Sequence, residues 1–222
     1  MAACPPLEES GEGRGYDEPR RQAPIEGIGN PMSLGDSVRK QNRIHQRVLD
    51  MSTFALDEDT VVVEGALRDE RFRPVYELSG ERRDKGVIHH MIIRLLVGGT
   101  PLRILDAEAE MPHVPIPLCI TTAESVRKII GLKIKSGFGG KVHKLIGGVE
   151  GCAHLTHLLT VMVQEALHGY WTHKMRKPGP PPASVEDIEG LSYLINSCSL
   201  WREDGPLLKE IEEFIEKRRS PS

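Results

Sequence analysis

Between Val87 and Met111 the chain reads VIHHMIIRLLVGGTPLRILDAEAEM, two apolar, strand-like runs on either side of Gly98-Gly99. No other stretch restricts the fold as much. Runs of this composition fit a pleated, half-buried surface. A glycine pair between them can take the positive φ angles of a tight turn. The stretch therefore predicts an antiparallel hairpin. A second hairpin is expected upstream, in NRIHQRVLDMSTFALDEDTVVVEGALRD, with residues 57–59 (DED) as its turn. The segment that follows, ERFRPVYELSGERRDKG, is polar, carries Pro74 and reads as loop.

The second half changes period. TTAESVRKIIG reads as a helix, capped by Thr121 or Thr122, with Glu124 in its first turn and Gly131 as the stop. From Ala153 to about Met175, Leu155, Leu158, Leu159, Met162, Val163, Ala166, Leu167 and Tyr170 recur at steps of three and four, one face of a long helix. KPGPPPAS (177–184) is a semi-rigid linker, and PLLKEIEEFIEKRR a charged C-terminal helix. Strands first and helices later imply an α+β fold, an antiparallel sheet of hairpins packed against the long helix and shorter ones. Residues 1–36, rich in Pro, Gly, Glu and Arg without period, read as a disordered tail. Residues 37–204 then form a single α+β domain, and 205–222 the terminal helix.

Bulk properties exclude some functions. A net charge of −3 offers no global basic field for nucleic acid. The apolar runs IIRLLV and LLTVMV fall far short of the roughly 20 residues that span a bilayer. The first residues lack the basic start and apolar core of a secretory signal, so a cytoplasmic location is expected. The four cysteines, Cys4, Cys119, Cys152 and Cys198, form no CxxC pair, which argues against zinc ribbons and thioredoxin-like chemistry. Cys4 falls in the tail.

Chemistry concentrates in GGVEGCAHLTHLL, residues 147–159. At about 100° per residue, the apolar face of the long helix centres near Leu155 and Met162, which puts His157 in solvent and His154 at the face's edge. Cys152 precedes the first turn, where the helix dipole favours a thiolate, and the glycines before it allow close backbone approach. The competing reading of Cys152 is ordinary packing, since cysteine is among the most buried residue types. Cys119 follows a loop stiffened by Pro115 and Pro117. His89 and His90 open a strand and point to opposite faces. His90 is in phase with Ile92 and Arg94, His89 with Met91 and Ile93, and the alternation does not choose between them. Asp106 reads as solvent-facing. Two thiolates with one or two imidazoles suit a tetrahedral zinc or iron centre.

VEGALRD, IHHMIIRL, ILDAEAEM followed by Pro and Cys119, IIGLKIKSGF, LIGGVEGCAHLTHLL and LINSCSLWREDGP occur in that order. In these pieces the run from about Arg43 to Asp204 resembles a bacterial family catalogued as domain of unknown function 2889. The resemblance marks His90, Cys119, Cys152 and His154, and adds Cys198 from NSCSLW; it implies no activity. The layout is also similar to iron–sulfur scaffold proteins of the NifU type: a ligand opening a hairpin, a cysteine in the next loop, and a His/Cys pair at a long helix. Here the first ligand is His rather than Cys, the last pair is spaced by Ala153 and reversed, and Cys198 arrives late. The similarity is one of arrangement only.

Three functions are consistent with these residues. One is a metal-binding (Zn or Fe/Fe–S) accessory or scaffold-like protein with ligands from His90, Cys119, Cys152, His154 and Cys198. Another is a thiol enzyme using Cys152 as nucleophile with His154 or His90 as base, for which no triad acid is apparent. The third is a non-catalytic interaction domain whose cysteines are core and whose tail and terminal helix recruit a protein partner.

Overall fold

The structure is a computed structural model that describes residues 43–219, together with residues 34, 35 and 38. Residues 1–33 and 36 of the tail read as disordered, Cys4 among them, lie outside the described residues.

Four long strands, β1 (His45–Ala55), β2 (Thr60–Arg71), β5 (Gly86–Gly98) and β6 (Arg103–His113), form one antiparallel sheet in the order β1-β2-β5-β6. Both expected hairpins are present. The β1–β2 turn is closed by Asp57, whose carboxylate accepts the backbone N–H groups of Asp59 and Thr60 at 2.9 Å each. The β5–β6 connection is longer than a two-residue turn. Gly98 still pairs with Arg103 inside the sheet, and only Gly99 takes a positive φ, 81°. Gly98 serves a different purpose: a Cβ there would stand 2.8 Å from the Asp59 carbonyl oxygen, so the bare backbone lets the neighbouring strand approach. The segment read as loop between β2 and β5 carries a small ribbon, β3 (Val75–Tyr76) with β4 (Arg82–Arg83), tied by an Arg83–Glu77 ion pair. It is too short and too polar to show a period.

Sheet alternation sorts the faces. Val61, Val63 and Leu67 of β2 and Met91, Ile93, Leu95 and Val97 of β5 are buried on one side. On the other side Arg94 pairs with Glu64, Glu108 and Glu110 in a cross-strand ionic cluster. Asp106 is exposed there, as its place in the strand suggested.

Helices cover the apolar side. The segment predicted from Thr121 begins earlier, at Pro117, and is a 3-10 helix running to Ile129. Its proline start explains the shift, since Pro fits the first positions of a helix. A helix not read from the sequence, α1 (Phe138–Ile146), follows the left-handed Gly137 and buries Phe138, Val142 and Ile146 at four-residue steps. The long helix α2 (Ala153–Lys174) buries all eight apolar residues expected of it. Two more helices, α3 (Leu191–Leu194) and α4 (Pro206–Arg219), follow. Among the described residues no helix is long and apolar enough to cross a membrane.

The direction of α2 decides where the site lies. Gly169 meets Thr53, Met162 lies over Gly65, and His154 reaches Asp69. Eight helical residues rise about 12 Å. Four strand residues advance about 13 Å, so helix and strand keep step along this path. His173 and Lys174, at the far end, bond to the Asp57–Asp59 turn. The helix N-terminus therefore sits over the opposite end of β2, where the strand turns polar.

The entry into α2 is tightly held. Buried Thr156 donates to the carbonyls of Ile146 and Cys152 at 2.9 and 2.8 Å. A Cβ on Gly151 would lie 2.5 Å from the Ile146 carbonyl oxygen and 2.9 Å from Ser125 Oγ. Because a backbone atom is in the way, Gly151→Ala has to displace the turn and with it Cys152 and His154. Its expected cost is about 1–3 kcal/mol in urea unfolding, accompanied by loss of the His154–Asp69 approach, read as a change in the His154 ring resonances by NMR.

Candidate metal centre

Strand register builds the site. Arg47 of β1 stands directly across from Asp69 of β2, and Asp69 directly across from His89 of β5. Asp69 and His89 continue the buried phase of their strands, and Arg47 is in phase with the half-buried Leu49 and Met51, so they form one polar row on the core side of the sheet. Asp69 is 2% exposed. Such a carboxylate needs partners, and it has them. Arg47 donates from Nε to Oδ1 and from Nη2 to Oδ2, each at 2.7 Å. His89 Nδ1 lies 3.0 Å from Oδ2.

His154 arrives from above, in the first turn of α2. Its Nε2 is 3.8 Å from Asp69 Oδ2, and its ring lies 4.0 Å, centroid to centroid, from that of His89. Cys152 Sγ is 4.0 Å from His154 Nδ1, the ring nitrogen that does not face Asp69.

Charge follows from this packing. The Arg47 fork, with help from His89, holds the Asp69 carboxyl below its ordinary range against the opposing effect of burial. Burial first, then the neighbouring His89 and Arg47, push the His154 imidazole below its usual value. This packing favours the neutral form of the His154 ring. A lowered folded-state value means that unfolding takes up a proton at His154. Its contribution to stability is present above the unfolded value of about 6.5 and falls away as pH drops from there through the folded value.

Asp69, His89 and His154 can each offer a ligand atom, all within 4.8 Å of one another. Of the five ligands expected from the sequence, His154 alone belongs to this group. His90 is a correction: it pairs with Arg68 and His113 in phase with Ile92 and Arg94, so its side chain lies on the other face of the sheet. His89 takes its place. Cys119 is half-buried in the 3-10 segment, its carbonyl accepting from Thr122 Oγ1. Cys198 is exposed in a turn after α3, its carbonyl accepting from Trp201 N–H. Cys152 reaches the group through His154. Among the described residues, no group of three or more close ligand atoms includes a cysteine. His157 is exposed, as expected.

Asp69 and Arg47 were missed. The signal for Asp69 lay in VVVEGALRD: Val61, Val63, Leu67 and Asp69 share one phase, which places an acid on a buried face. Arg47 is likewise in phase with Leu49, Met51 and Thr53.

A family described as "Protein of unknown function (DUF2889)" matches residues 45–168, more than half of the 222-residue chain, and this span includes Arg47, Asp69, His89 and His154. The chain belongs to that family. No curated protein and no solved structure matches it.

Proposed function

We propose that this protein is a metal-binding protein whose centre is Asp69, His89 and His154, with zinc or another late divalent metal as its ion. One observation carries the reading: two imidazoles and a buried carboxylate converge at ligand spacing. Donors about 2.0–2.2 Å from a tetrahedral ion lie roughly 3.3–3.6 Å from each other. The separations from Asp69 Oδ2, 3.0 Å to His89 Nδ1 and 3.8 Å to His154 Nε2, bracket that range. The depressed proton affinity of His154 supports it too, because a metal takes the neutral ring. An iron–sulfur cluster is held by thiolates, and the nitrogen and oxygen donors found here favour a mononuclear ion.

Elemental analysis of untagged protein purified without oxygen tests this. Near-stoichiometric zinc or iron that disappears in His154→Ala supports the centre. Metal-free protein that also fails to take up added zinc counts against it.

A second reading rests on the Cys152–His154 contact. With Asp69 on the other ring nitrogen, the three residues run in the order of a nucleophile, base and orienting acid. Rapid, His154-dependent alkylation of Cys152 in metal-free protein would favour that thiol chemistry. The two readings compete for the same imidazole.

A further inference from the structure

The Arg47–Asp69 pair leaves the carboxylate with little freedom. The guanidinium takes Oδ1 through Nε and Oδ2 through Nη2, both at 2.7 Å, in a two-pronged fork. The backbone fixes this arrangement, because the two residues are direct cross-strand partners. Oδ1 is turned to the guanidinium, and it is Oδ2 that approaches both His89 and His154.

Resting on the metal-centre reading above, we infer that Arg47 determines which cations the centre accepts, by fixing the orientation of the Asp69 carboxylate so that only Oδ2 faces the imidazoles. Calcium takes six to eight oxygen ligands and commonly a bidentate carboxylate, and magnesium demands near-octahedral oxygens. One carboxylate oxygen and two imidazole nitrogens satisfy neither. They do suit ions content with a four-coordinate, nitrogen-rich set, zinc foremost. Manganese, which prefers oxygen, is the informative intermediate case. The positive charge of Arg47 repels every divalent ion to a similar degree, so charge cannot separate zinc from manganese. The number of oxygens that Asp69 can offer does.

Arg47→Lys isolates this effect, because lysine keeps the charge at the same strand position but cannot grip both oxygens. Zinc and manganese affinities are measured on the full chain by competition with a chromogenic chelator and expressed as a ratio. The zinc-over-manganese ratio is expected to fall by about tenfold or more, the scale on which groups orienting a ligand act. Arg47→Gln, which also lacks the fork, should move the ratio the same way and serves if circular dichroism shows that the lysine variant has not folded. An unchanged ratio in a folded variant that still binds zinc overturns the inference while leaving the centre standing. A wild-type protein that binds no zinc removes the centre itself, and the inference with it.

Discussion

Saturating zinc is expected to raise the melting temperature of the wild-type protein by roughly 8–16 °C and that of His89→Ala hardly at all. An ion that binds only the folded chain stabilises it by about 4 kcal/mol when free metal exceeds the dissociation constant a thousandfold. In a chain of this size each kcal/mol moves the melting point by about 2–4 °C. His89 is the informative residue to remove. It is one of the three proposed donors, and its side chain is 15% exposed toward the end of a strand, away from the packed centre of the sheet. Scanning calorimetry with zinc and with a chelator gives both values. Equal shifts in wild type and variant would place the zinc elsewhere, and the other histidines of α2, His157, His168 and His173, would be the first to examine.

Hairpins and the long helix could be read from the chain because their apolar residues keep a strict period over ten or more positions. The parts that lacked a period were missed: α1, whose glycine-rich opening hides a four-residue repeat, and the short polar β3–β4 ribbon. The helix half of the site was equally legible. His154 lay at the edge of an apolar face, and the sequence put it there. The sheet half was not, because three side chains on three strands become neighbours only when register is known. Register between β2 and β5 is set across the 14 residues from 72 to 85, and nothing local fixes it. The sequence does carry a clue that separates His89 from His90. Arg94 shares the phase of His90, and a charged residue beside Ile92 and Leu96 marks that phase as the solvent side. Thiols are chemically distinctive in a sequence but stay apart in this fold; the acid at the centre of the polar row lies in a strand whose pattern is dominated by hydrophobic residues.

Replacing Asp69 by Ala is expected to destabilise the metal-free protein by about 2–3 kcal/mol at neutral pH, somewhat less than loss of one partner from a fully buried ion pair. The discount comes from Arg47, which is 37% exposed and can turn its guanidinium to water once the carboxylate is gone. What cannot be recovered is the polar row itself, since His89 also loses its acceptor. The pH dependence makes the prediction specific. Because the folded-state Asp69 titrates below the ordinary carboxyl value near 3.8, its stabilisation is fully present above that value and is lost as pH falls through the lower, folded one. Urea unfolding should therefore separate wild type from Asp69→Ala by a constant gap from neutral pH down to about 4, narrowing at more acid pH as the wild-type carboxylate takes up its proton. A gap that does not narrow would mean that Asp69 contributes through packing rather than charge. The fork that Arg47 makes on it would then be a consequence of the fold rather than one of its supports.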